Sequence, residues 1–273
     1  MSGLGYIQDK FDSRDYLMRA YLPVARLPKS VDYAPKASPV RDQGIEGTCV
    51  AFATATGMKE YQELLDYEKL IVLSPRFIYD ECKKIDGMPD IEGTTLRVAM
   101  KVLKTKGVCR ESFQPYGPYQ RIKLRKGGVA DAKKFRVITY ARIININELR
   151  QSLYAKGPCV IGVEVFKGMM ETKTGLVPMP KKNEQAQGGH AICAVGYDDK
   201  KKLIKFKNSW SAKWGKKGYG SLPYTYIEEH MIDAWSSVDI EDPNPLTLAK
   251  ALGDGLKQDK VLAATVLLKE KKA

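Results

Sequence analysis

The chain of 273 residues has two histidines, His190 and His230, and three tryptophans. Any imidazole-dependent chemistry is therefore confined to two positions. Its five cysteines (49, 82, 109, 159 and 193) are odd in number, and no two stand at a metal-ligand spacing. His190 and Cys193 are three apart, and on a strand such residues face opposite ways. No zinc, other metal or cofactor is implied. With Cys49 set aside, the other four thiols allow up to two disulfides, and nothing in their spacing requires one. No run of residues approaches the ~20 apolar positions that span a bilayer. The opening Met1–Tyr6 includes no apolar stretch of signal-peptide length, so the expectation is a soluble protein, cytoplasmic, with no membrane partner. Aromatic–basic interleaving is missing too. The net charge is +13, and basic residues gather between Arg121 and Arg136 and between Lys200 and Lys207. Without a binding motif they read as a solvated face suited to acidic partners, and no nucleic acid is expected. The oligomeric state is not legible.

What the chain does contain begins at Gln43-Gly44-Ile45-Glu46-Gly47-Thr48-Cys49, running into the small apolar stretch Val50–Thr56. A thiol attacks amides as its anion, and an ordinary thiol has a pKa near ~8.5. A helix N-terminus lowers that value through its unpaired N–H groups and dipole. Thr48 is the expected N-cap. Gly44 and Gly47 let the lead-in turn tightly and bring backbone close to a bound chain. Gln43 and the Cys49 amide are candidate donors to an oxyanion. A buried cysteine by itself is more often a small core hydrophobe; the glycine-rich lead-in favours the nucleophile.

Of the two possible bases, His230 lies in the polar Tyr226–Met231 stretch and reads as a surface histidine. His190 follows Gly188-Gly189 and precedes Ala191-Ile192-Cys193-Ala194-Val195, a glycine turn feeding a strand. Asn208 in Asn208-Ser209-Trp210 can accept from the ring and fix its tautomer, with Trp210 shielding the bond from water. Alone, Asn208 also reads as a turn residue ending a strand.

This constellation resembles the papain-like cysteine peptidases. His190 stands 141 residues after Cys49, within the ~130–150 of that family. Leu73-Ser74-Pro75-Arg76 is similar to its Leu-Ser helix start, and Gly93-Thr94-Thr95 to its glycine-led helix beside the cleft. Asn208-Ser209-Trp210, Trp214-Gly215 and Gly218-Tyr219-Gly220 match its late motifs, so the resemblance runs from about Val31 to Trp235. It implies Cys49 as nucleophile, His190 as acid/base, Asn208 as its orienter and Gln43 in the oxyanion hole. Gly47, Gly93, Gly189, Ala191 and Trp210 would line the substrate groove. Two positions depart from the pattern. Glu46 stands where the family has a cysteine, which removes the disulfide of the active-site loop, and Val50 replaces an aromatic residue. These changes, and the Arg14-Asp15-Tyr16 segment, are more similar to bacterial members.

Helical periodicity fills residues 31–128, as in Leu96, Ala99, Met100 and Leu103. Strands dominate 129–240: Phe135–Tyr140, Pro158–Val165, Ala191–Tyr197 and Leu203–Lys207, with one helix, Ile146–Ala155, capped by Asn145 or Asn147. This segregation predicts an α+β fold of two lobes, and the resemblance implies a helical lobe and an antiparallel β-barrel-like lobe with the cleft between them. Residues 1–30 form a charged leader, read either as a short prosegment across the cleft or as a strap on the back. Residues 241–273 read as an amphipathic helical tail. The function expected is a cysteine-type peptidase cutting peptide or protein substrates through a thiolate–imidazolium pair and an acyl-enzyme. The alternatives are a catalytically idle peptide-binding module and a thiol amidase or acyltransferase on the same scaffold.

Overall fold

A computed structural model describes residues 3–22, 25–120 and 122–239. The tail read at 241–273 lies outside them. The cysteine segment forms one continuous helix. It starts as α1 (Cys49–Phe52), widens to π geometry over Ala53–Lys59 and ends as α2 (Glu60–Tyr67). Its alanines bury completely or nearly so, which lets it lie against the sheet. Next come α3 (Pro75–Lys83) and α4 (Leu96–Thr105). Ser74 caps α3 by accepting from the Phe77 amide, and Thr95 caps α4 by accepting from that of Val98. A short α5 (Gly128–Ala132) closes the helical half.

All strand ladders are antiparallel. Strand β1 (Ser30–Asp32) pairs with the end of β4 (Gly188–Asp198). The main path runs from β2 (Val137–Ile143) through β7 (Met231–Asp239), β3 (Cys159–Val165), β4 and β5 (Leu203–Lys207) to β6 (Tyr219–Pro223). Helices α6 (Ile146–Lys156), α7 (Lys167–Glu171) and α8 (Tyr224–His230) lie between strands in the chain. Asn145 caps α6 through the Glu148 amide.

The period of two along β4 explains its burial on both faces. Ala191, Cys193 and Val195 join the core that holds Cys49, Phe77, Leu96 and Met100. Ile192 and Ala194 join a second core with Leu149, Ile161, Phe206 and Tyr226. The expected α+β division is present, but the barrel-like closure is not. Among the described residues no ladder joins β6 to β2, and α6 and α8 cover the open sheet's second face. The strand expected at Phe135–Tyr140 starts two residues later. Lys133–Phe135 is a single 3₁₀ turn that turns Phe135 into the helical core.

Candidate active site

The thiol sits at the first residue of α1, and the backbone N–H of Ala191 on β4 points at its sulfur from 3.4 Å. Helix start and strand thus meet at Cys49, and His190 is the residue next to Ala191. The Thr48 side chain does not cap the helix as expected. Its hydroxyl instead bonds the Tyr116 hydroxyl at 2.8 Å.

His190 is fully buried, with Nε2 2.8 Å from Asn208 Oδ1. That same oxygen accepts the Ser209 amide N–H at 2.8 Å, so the Asn208 side chain faces the ring with its acceptor. Nε2 must then carry the proton, leaving Nδ1 of the neutral ring with a free lone pair. Nδ1 is buried and has no hydrogen-bond partner among the described residues. Trp210 stacks on the imidazole at 4.3 Å between centroids, and Trp214 packs edge-on against Trp210. The surface reading of His230 is not what the structure shows. It is half-buried between Phe166 and Tyr226, with Nδ1 2.8 Å from Glu164.

Burial pushes the Cys49 thiol up to about 11 and the His190 imidazole down to about 4. Both groups are neutral in this covered state because each isolated charge loses its water.

The cover is the chain's own start. Gly3 N donates to Gly44 O at 2.9 Å, and the Gly3 carbonyl accepts from Gln43 Nε2 at 3.1 Å. The Gln43 Oε1 in turn accepts from the Ser209 hydroxyl at 2.6 Å. The Gly5 N–H faces the Cys49 sulfur. Thr94 N donates to Gly5 O, and Ile7 N donates to Thr94 O, both at 3.0 Å, forming a parallel bridge between Tyr6 and Thr94. On the other wall Tyr6 N donates to Gly189 O at 3.3 Å. The glycines expected to line the groove are those that this segment touches. A Cβ on Gly93 would fall 2.4 Å from Gly5 O, one on Gly189 2.6 Å from Tyr6 O, and one on Gly47 3.0 Å from Gly5 Cα.

Residues 9–22 continue as a strap. Asp15 receives both Arg97 Nε (2.9 Å) and Nη2 (2.6 Å), Asp9 accepts the Arg97 backbone amide at 2.9 Å, and Arg142 N donates to Tyr16 O at 2.7 Å. The sequence carries a signal for this placement beyond the charge of the leader. Gly3-Leu4-Gly5-Tyr6 alternates small and large, the pattern of a strand with one tightly packed face. Gly3 and Gly5 lie against the loop Ile45–Gly47, while Leu4 reaches Gly188 and Tyr6 reaches Gly189.

Glu46 does more than remove a disulfide partner. Its buried carboxylate accepts Arg76 Nη1 at 2.9 Å, pairs with Arg76 Nη2, and accepts the Tyr119 amide at 2.8 Å. An ion pair thus ties the Gln43–Cys49 loop to α3 where the resemblance led to a missing disulfide. All five cysteines are free thiols.

A thiol at a helix start, a strand-borne imidazole with a fixed tautomer and a side-chain amide donor make this a thiol-nucleophile hydrolase. Residues 27–236 match the sequence profile of the Papain family cysteine protease, and the chain belongs to that family. It is a cysteine peptidase by that membership. An uncharacterized peptidase C1-like protein of Acanthamoeba polyphaga mimivirus is 32% identical over 88% of both chains. Cathepsin K of Mus musculus is 29% identical over 81% of this chain and 67% of its own. Xylellain, a cysteine protease from Xylella fastidiosa, superposes with a TM-score of 0.80 at 32% identity, covering 88% of this chain and 97% of its own.

Proposed function

We propose that Cys49, His190, Asn208 and Gln43 perform peptide hydrolysis and that residues 3–7 are a built-in occupant of the cleft. His190 Nδ1 takes the thiol proton, and the sulfur adds to the substrate carbonyl. Gln43 Nε2 and the Cys49 amide hold the oxygen as it gains charge. The C–N bond breaks, the imidazolium gives its proton to the leaving amine, and water then cleaves the thioester with the roles reversed. The single observation that carries this reading is the buried, unpartnered Nδ1 on a ring whose Nε2 is committed to Asn208. The substrate class is peptide or protein.

The leader's parallel register against Thr94 and its glycines at the sulfur let it fill the groove without offering a side chain to the loop. Its departure admits water and substrate to two groups that burial keeps neutral, restoring the conditions for a thiolate–imidazolium pair. The five free thiols favour a reducing compartment such as the cytoplasm, which cell fractionation tests. The function is tested by hydrolysis of a fluorogenic peptide panel by the full chain. Cys49-dependent turnover is expected; a chain that cuts small amides but no peptide would contradict the assignment.

A further inference from the structure

Tyr6 is 6% exposed although it belongs to the leader. Its ring lies in a slot between β3 and β4. A Cβ on Gly162 would stand 2.4 Å from Tyr6 Cζ, and one on Gly189 2.8 Å from Cδ1, so both walls are bare backbone. At the end of the slot the Tyr6 hydroxyl donates to Asp233 Oδ1 at 2.9 Å. Asp233 is 2% exposed, and the Trp235 indole N–H approaches its other oxygen at 3.4 Å. Gly5 lies at the sulfur and Tyr6 is the next residue, so the slot sits one residue away from the nucleophile along the groove.

We propose that Asp233, at the end of this slot, makes the protein prefer tyrosine at the substrate residue one removed from the attacked carbonyl's own. The inference rests on the peptidase reading above. The leader is the ligand that displays the preference, since its side chain reaches the slot whichever way its backbone runs. Glycine walls admit a flat ring and leave no room beside it. A phenylalanine would leave the Asp233 oxygen that accepts the hydroxyl without that donor, and sites built to hydrogen-bond a hydroxyl discriminate strongly against its absence.

A basic side chain is disfavoured by what lies around Asp233. The Arg97 and Arg142 guanidinium groups both sit over the Trp235 ring, at 5.6 and 5.8 Å. Both now face acidic partners on the leader, Asp9 and Asp15 for Arg97 and Asp15 for Arg142. When the leader leaves, those carboxylates leave with it, and the slot is left with one acid beside two arginines.

The test uses the full chain carrying Gly5→Val, whose side chain has no space beside Gly47. Peptidyl vinyl sulfones differing only at the second residue from the electrophile (Tyr, Phe, Arg, Ala) are timed by mass at Cys49. Tyrosine is expected to react about tenfold or more faster than phenylalanine or arginine, and Asp233→Ala to bring the Tyr/Phe ratio to about one. If that variant does not fold, Gly162→Ala serves instead: it must slow the Tyr and Phe probes relative to Ala. A Phe or Arg probe as fast as Tyr overturns the proposal and leaves the peptidase reading standing. Reaction with none of the probes overturns the peptidase reading, and the proposal with it.

Discussion

The Gln43 side-chain amide donates to the Gly3 carbonyl at 3.1 Å. The donor assigned to the oxyanion thus already holds a carbonyl of the protein's own backbone. On the proposed mechanism substrate and leader compete for the same donor, and leader release precedes turnover by the full chain.

Displacing the leader by one side chain should therefore speed the enzyme. A Cβ on Gly5 would fall 1.9 Å from Gly47 O, a clash with backbone that cannot swing aside. Gly5→Val is expected to raise the rate of peptide hydrolysis by the full chain at least about tenfold, the loss of ~1.4 kcal/mol of leader binding. An initial-rate comparison with the unaltered chain measures it.

The leader's hold should weaken as pH rises. Asp233 is pushed up to about 7 by burial first and then by Asp9 beside it. Tyr6 and Asp9 on the leader and Arg142 on β2 face it, with Arg97 and Asp15 adjoining. Departure of Asp9 and entry of water lower the affinity for that proton, so release gives off a proton. The hold is full below the ordinary carboxylate pKa of about 4, falls as pH climbs through 7, and changes no further above it. Hydrogen exchange of the Tyr6 and Ile7 amides, corrected for intrinsic rates, should show this slope, and Asp233→Asn should flatten it.

Breaking the Glu46–Arg76 pair should cost more than its charges suggest. Both side chains are nearly inaccessible, so removing one leaves the other charged and buried, a penalty of about 3–5 kcal/mol. Denaturant midpoints should drop for Glu46→Ala and for Arg76→Ala. The joint replacement Glu46→Gln with Arg76→Met should recover most of the loss.

Asn208→Ala removes the acceptor that fixes the His190 ring. We expect kcat to fall by roughly tenfold to a hundredfold with little change in KM, since the tautomer matters to proton transfer and not to binding. Steady-state kinetics on one fluorogenic peptide decides it.

The sequence showed most clearly what local chemistry enforces. Asn145 makes the expected cap bond at the start of α6, whereas Thr48 does not cap α1, and the caps of α3 and α4 fall to Ser74 and Thr95. Leu203–Lys207 is a strand at the bounds its alternation indicates. The candidate site residues narrow quickly because a nucleophile, a base and an orienter leave few alternatives in a chain with two histidines. Strand β7, by contrast, carries Ser236 and Ser237 on buried positions, and its place between β2 and β3 depends on residues some 70 to 100 positions away. Tyr6–Asp233 spans almost the whole described chain, and only folding brings the two together. Sheet closure is equally non-local: whether β6 meets β2 is not written in either strand's own pattern.

The most direct test is mass-mapped alkylation by iodoacetamide of the Gly5→Val chain at neutral pH. All five thiols are free and buried beneath the leader or in the cores. With the leader displaced, the account predicts fast modification at Cys49 alone, lost when His190 is changed to alanine. Equal, slow modification of Cys49 and the four core thiols, indifferent to His190, would contradict it.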